Sequence, residues 1–106
     1  MPPYGQIMYL PKSRLNMAVE VRFSAQATTE LERAVAWYES QKPGLGLAFL
    51  KASEDAIAKI AENPFRFSTS RPPLRQFHLK KFPFTIIYEA GDCIWIAALW
   101  HQKRLR

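Results

Sequence analysis

Apolar and polar positions along this chain change period twice. In Val19-Glu20-Val21-Arg22-Phe23 apolar side chains alternate with polar ones, the period of two that a half-buried strand requires. Ser24 follows as a helix N-cap, and Ala27, Leu31, Ala34, Val35 and Tyr38 then recur at three- and four-residue spacing, which predicts an amphipathic helix over Ala25–Gln41. Gln41-Lys42-Pro43-Gly44 ends it: the proline disfavours helical geometry before it, and the glycine takes a positive φ without strain. A second helix over Leu45–Glu62 carries Phe49, Leu50, Ala56, Ile57 and Ile60 on its apolar stripe and stops at Asn63-Pro64. So short a link packs the two helices as an antiparallel hairpin.

After Pro72-Pro73 the period returns to two. Between Leu74 and Lys81, Phe77 and Leu79 share one face while Gln76, His78 and Lys80 share the other. Phe84–Tyr88 is a further strand, Ala90-Gly91-Asp92 a tight turn, and Ile94–Trp100 a last strand, apolar on both faces and therefore central. The predicted fold class is α+β, in the order β-α-α-β-β-β, with the helical hairpin on one face of a small antiparallel sheet and the other face open. Residues 1–16 hold three of the eight prolines and show no periodicity, so Met17 is the expected natural start or, failing that, 1–16 are expected to be a disordered extension before a domain over 17–106.

Charge adds a direction. The chain has 106 residues and a formal charge of +6. From Met1 to Phe65 there are seven Lys/Arg against seven Asp/Glu; from Arg66 to Arg106 there are eight against Glu89 and Asp92 alone. A surplus confined to the sheet half suits an acidic partner better than a merely solubilising surface, which has no need to segregate its charge. The single cysteine, Cys93, excludes an intrachain disulfide and reads as a small core residue. No apolar run approaches the ~20 residues of a membrane span, and the cytoplasm is the expected compartment.

Familiar catalytic motifs are missing. The sequence has no phosphate-binding glycine loop, no metal-ligand spacing, no cofactor signature and no nucleophile triad. Arg75, His78, Lys80, Lys81, Tyr88, His101, Lys103 and Arg104 remain, an inventory of cations and polar rings. Metal-free RNA cleavage asks for a base on the 2′-OH, an acid on the leaving oxygen and fixed positive charge on the phosphorane, and these residue types supply each. The same set suits docking on an acidic protein. Each residue also has a structural reading: Arg75 pairing with a carboxylate, Tyr88 packing with its hydroxyl at the rim, His101 and Arg104 closing the sheet, and Trp37 and Trp95 in the core or at an interface.

Trp37-Tyr38-Glu39-Ser40-Gln41-Lys42-Pro43-Gly44-Leu45-Gly46, Phe49-Leu50, and Ile60 with Glu62-Asn63-Pro64 resemble the helical hairpin of RelE/ParE-type toxins from type II toxin–antitoxin pairs. Leu74-Arg75, Lys81-Phe82-Pro83-Phe84, Ile86-Ile87-Tyr88 and the closing His101-Gln102-Lys103-Arg104 follow in the same order, so the resemblance spans about Val19 to Arg104. It implies growth inhibition, a role in plasmid stabilization, and a cognate acidic antitoxin from the same operon. It implies one of two targets: DNA gyrase, blocked without nuclease activity, or messenger RNA cleaved on the ribosome. Carried over by position, Arg75 matches the family's strand arginine, Tyr88 its strand tyrosine, and His101 and Arg104 its closing His-x-x-Arg; with Lys80 and Lys81 from the inventory of cations, they are the candidate catalytic residues, with no cofactor and no metal. An acid–base pair near neutrality has only His78 and His101 to draw on, which favours the gyrase-blocking reading. The family pattern runs on past the closing arginine with a proline, an aromatic and more basic residues, whereas here Leu105-Arg106 follow. That difference implies either a dispensable tail or weakened activity; a decayed toxin or a basic nucleic-acid-binding module is the alternative expected where no antitoxin gene lies beside this one.

Overall fold

The computed structural model describes the backbone of residues 7–12, 17–67, 69 and 71–105, and side chains over 20–67, 69 and 71–103. Its elements are β1 (Ile7–Lys12), β2 (Met17–Phe23), α1 (Ala25–Gln41), α2 (Leu45–Glu62), β3 (Leu74–His78), β4 (Phe84–Ala90) and β5 (Ile94–His101), closed by a 3₁₀ turn over Gln102–Leu105. The β-α-α-β-β-β order of the α+β reading is therefore present, with one strand more at the front.

Capping explains why the helices begin where they do. Ser24 sits in extended geometry, and its Oγ accepts the Ala27 N–H at 2.9 Å. The same hydroxyl donates to the Ala97 carbonyl at 2.7 Å, and the Ser24 N–H donates to the Ile96 carbonyl at 2.9 Å, so the cap also ties the start of α1 to β5. Between the helices Gly44 takes φ +90°, and the Glu39 carboxylate on the last turn of α1 accepts the N–H groups of Gly44 and Gly46. That carboxylate satisfies free donors at the α2 N-terminus and holds negative charge where the helix dipole favours it. A Cβ on Gly46 would lie 2.6 Å from the Val35 carbonyl oxygen, so the helices touch backbone to backbone here.

The sheet has the order β1-β2-β5-β4-β3. β3, β4 and β5 form the expected antiparallel meander, with β5 in the centre. Two features differ from the sequence reading. β2 pairs with β5 in parallel, from Val21↔Ile94 to Phe23↔Ile96, so the sheet is mixed and not wholly antiparallel. The reason is the connection: both helices and the link after them separate β2 from β3, which emerges at the far edge, and the meander brings β5 back beside β2. Ile7–Lys12, within the stretch expected to be disordered, forms an antiparallel ladder with β2 from Ile7↔Arg22 to Lys12↔Met17. An edge position tolerates Pro11, which has no N–H to give. The remainder of that stretch, 1–6 and 13–16, lies outside the described residues.

Phe49 of α2 is fully buried at the centre of the core. Its ring stacks on Tyr38 at 5.1 Å and meets Phe82 and Phe84 edge-on at 5.0 Å each. Ile57 and Ile60 join Val21, Phe23, Ile86, Tyr88, Ile94, Ile96 and Leu99 in the same cluster. The far face of the sheet is not the bare surface expected: Thr85, Ile87 and Ala98 alternate with these core residues, yet they are 0%, 7% and 4% exposed. Trp100 stands directly opposite Thr85, and both Trp95 and Trp100 are half-buried.

β2 reaches β5 only as far as Ile96, leaving the later N–H groups of a central strand without a ladder partner on that side. Glu30 of α1 fills part of the gap. One of its oxygens accepts the Leu99 N–H at 2.9 Å and the other the Trp100 indole N–H at 2.8 Å. A helix carboxylate thus takes the place of a strand carbonyl.

Candidate functional site

Arg75 and Tyr88 face each other across β3 and β4. Their side chains point to the helix side of the sheet and converge on the link that follows α2. The Tyr88 hydroxyl donates to the Pro64 carbonyl at 2.8 Å, and the Arg75 guanidinium donates to the carbonyls of Phe65 at 3.0 Å and Phe67 at 2.8 Å. Phe67 packs edge-on against Phe77 at 4.8 Å. Tyr88 is wholly buried, and burial pushes its phenol above the ordinary value, opposed in smaller part by the Arg75 charge. A phenol so placed stays protonated and donates. Among the described residues no helix carboxylate pairs with Arg75; backbone carbonyls accept from its Nη1.

His101 stands at the other end of the hairpin. Its ring meets Phe84 edge-on at 5.2 Å, and its Nδ1 accepts the Lys103 N–H at 3.2 Å. In the register Arg75 lies opposite Tyr88 on one side of β4, while His101 lies opposite Phe84 on the other. At ~3.3 Å per residue and ~4.8 Å per strand, their Cα atoms stand about 16 Å apart. Lys80 and Lys81 are exposed in the β3–β4 turn. The strand expected to run to Lys81 stops at His78: Leu79 keeps the inward face it shares with Phe77, 6% exposed, and gives its N–H to the Phe84 carbonyl at 2.9 Å, after which the chain bends through 80–83 into β4. His78 is exposed, and its Nδ1 is in hydrogen-bond contact with the Thr85 hydroxyl. Arg104 falls in the closing 3₁₀ turn, and its side chain lies outside the described residues. The structure thus brings Arg75 and Tyr88 together, and holds His101 and the lysine pair elsewhere.

The lysine pair belongs to a different feature. Between α2 and the β3–β4 turn runs an open groove of about 840 Å³. Ala48, Ala52 and Ala56 recur every four residues along α2 and leave room where larger side chains would close the space. Phe77, Leu79 and Phe82 form the opposite wall. Lys51 and Lys59 from the helix and Lys80 and Lys81 from the turn stand around it, against Asp55 and Glu62. The basic rim is therefore shared between the two halves of the chain and lies on the helix side, not on the far face of the sheet.

Lys51, Lys59 and the alanine row escaped the sequence reading. The signal was the four-residue spacing of alanine within an otherwise apolar helix stripe. Trp37 is 58% exposed, which leaves it at the surface and out of the core. Cys93 is half-buried, and burial, with lesser contributions from nearby charges, raises its thiol above the usual range, the opposite of what a nucleophile requires. Among the described residues no cluster of three His, Cys, Asp or Glu comes together, and no helix is long and apolar enough to cross a membrane.

Comparison with known proteins agrees with this architecture. The family model described as "ParE toxin of type II toxin-antitoxin system, parDE" matches residues 21–106. No curated protein sequence gives a significant match. Among solved structures, a chain of "Chromosomal ParDE TA system from P. aeruginosa" superposes with a TM-score of 0.57 at 18% identity, covering 76% of this chain and 92% of that one, a likeness of fold. The match from β2 to the last residue, on a β-α-α-β-β-β frame, places the chain in the ParE toxin family of type II toxin–antitoxin systems.

Proposed function

We propose that this chain is a cytoplasmic toxin that acts by docking on DNA gyrase and is held inactive by an acidic antitoxin encoded beside it. The observation that carries the docking half is the dispersal of the candidate chemistry. Tyr88 spends its hydroxyl and Arg75 its Nη1 on carbonyls of the 64–67 link, and the His101 and Arg75 Cα atoms stand about 16 Å apart by strand geometry. A ribonuclease must bring base, acid and phosphate-binding cation within hydrogen-bond reach of one phosphate. Docking makes no such demand.

The groove supports the antitoxin half. Its apolar floor and lysine rim match an amphipathic segment with an acidic edge, of the kind that orders as it binds. Ala48 is exposed in that floor, so Ala48→Trp fills the groove without entering the core. Induction of the wild-type chain should arrest growth, and co-expression of the adjacent reading frame should restore it. The Ala48→Trp chain should arrest growth and escape rescue. Equal rescue of both would place the antitoxin elsewhere on the surface.

A further inference from the structure

Phe65 is one of the most exposed large apolar side chains among the described residues, at 64%. It does not sit on a loose loop. The Arg66 N–H closes a turn on the Asn63 carbonyl at 3.1 Å. Beneath that turn, Tyr88 holds the carbonyl of Pro64, and Arg75 holds those of Phe65 and Phe67. The Arg75 guanidinium also lies 5.4 Å from the Phe65 ring centroid, and Arg66 lies 5.8 Å from that of Phe67. A buried phenol and a fixed guanidinium thus hold three carbonyls of one short turn, and the result of that bracing is an aromatic ring in solvent. Between Glu62 and Glu89 the chain carries Arg66, Arg71, Arg75, Lys80 and Lys81 and no acidic residue.

We propose that the Phe65–Arg66 turn is the surface by which the toxin grips its target, with the Phe65 ring entering an apolar pocket on a protein whose surrounding surface is acidic. A ring already held in place loses little freedom on binding, and an aromatic anchor beside arginine is the composition of an interface hot spot. Absence of acid over this stretch gives the complementary sign to an acidic rim. A single-stranded nucleic acid is the less favoured occupant. It needs successive rings along a basic track, whereas Phe67 is turned inward against Phe77 and, among the described residues, no exposed ring lies next to Phe65 in the turn. The antitoxin groove on α2 is a separate surface, lined by neither Phe65 nor Arg66.

This inference rests on the toxin reading and names the contact through which the toxin works. The test compares the full-length wild type with Phe65→Ala and Arg66→Glu in three measurements: binding to purified gyrase heterotetramer, growth arrest on induction, and rescue by the adjacent reading frame's product. Retained binding of that product serves as the folding control. Phe65→Ala should bind gyrase about 30-fold more weakly and lose growth arrest, with antitoxin binding unchanged. Arg66→Glu should weaken gyrase binding in the same direction. A wild type that arrests growth without binding gyrase removes the gyrase assignment, yet loss of arrest in Phe65→Ala still supports this surface. Wild-type gyrase binding and arrest retained by Phe65→Ala would overturn the surface and leave the gyrase reading standing. Antitoxin binding lost together with arrest would assign Phe65 to the antitoxin and overturn it as well. Tight binding of a labelled oligothymidylate, abolished in Phe65→Ala, would make the turn a nucleic-acid platform and refute a protein pocket.

Discussion

Removing the Tyr88 hydroxyl separates a structural role for the β3–β4 pair from a chemical one. Tyr88→Phe keeps the buried ring in its cluster and deletes one donor, leaving the half-buried Pro64 carbonyl without the phenol that holds it at 2.8 Å. A hydrogen bond of this kind contributes about 1 kcal/mol net, and an acceptor left partly unmet adds a fraction more, giving a loss near ~1.5 kcal/mol. In a domain of this size that lowers Tm by about 7 °C. Arg75→Met removes two bonds to the same link, one at an exposed carbonyl, and should cost about 2 kcal/mol after solvent screening is allowed for. Because both side chains brace one segment, the double variant should lose less than the two single losses added together. Thermal and urea unfolding of the four proteins measures this directly. Under permissive conditions Tyr88→Phe should still arrest growth. An unchanged Tm with growth arrest abolished would refute the clamp and put the phenol in the chemistry.

Further outcomes follow from the same contacts. Gly46→Ala drives a Cβ against the Val35 carbonyl oxygen, a backbone atom that cannot swing away, and should destabilise by about 2–3 kcal/mol in urea denaturation. Ser24→Ala loses both the α1 cap and the tie to Ala97, and should cost about 1–2 kcal/mol by the same measurement. For alkaline pH the sign is set by burial, which raises the phenols of Tyr38 and Tyr88 above 10.0 in the folded chain. The unfolded chain therefore releases those protons first. Stability is fully present below pH 10 and is lost as pH rises from there through the folded values, and the loss should be smaller in Tyr88→Phe.

Local signals made much of the frame legible. Ser24 and Pro43-Gly44 bracket α1, and Leu45 to Glu62 carries the second stripe, so both helices end where capping chemistry said they would. The two-sided apolar run at Ile94–Trp100 marked the central strand. Pairing across distance was not legible. Whether β2 runs parallel or antiparallel to β5 depends on where the chain re-enters the sheet, which no local period records. Ile7–Lys12 looked featureless because Pro11 interrupts it, yet an edge strand accepts a proline.

The site was harder still, because its residues act through partners far away in sequence. Glu30 meets Leu99 and Trp100, and Tyr88 meets Pro64. Arg75 was recognisable as a residue with a task, but charge and spacing could not say that backbone carbonyls would accept from its Nη1. The groove was hidden for a related reason. Ala56 reads as one more residue of the α2 apolar stripe, and its row with Ala48 and Ala52 gains meaning only when the β3–β4 turn stands opposite with its own lysines.

The most direct test of the account is to titrate the purified chain into gyrase acting on supercoiled plasmid DNA, with a ribosome–messenger RNA reaction run beside it. Docking without nuclease chemistry predicts accumulation of gyrase-linked DNA breaks, their loss in Phe65→Ala, and intact messenger RNA. Messenger RNA fragments that vanish in Arg75→Met and His101→Ala proteins of proven fold, with gyrase turnover unaffected, would contradict it.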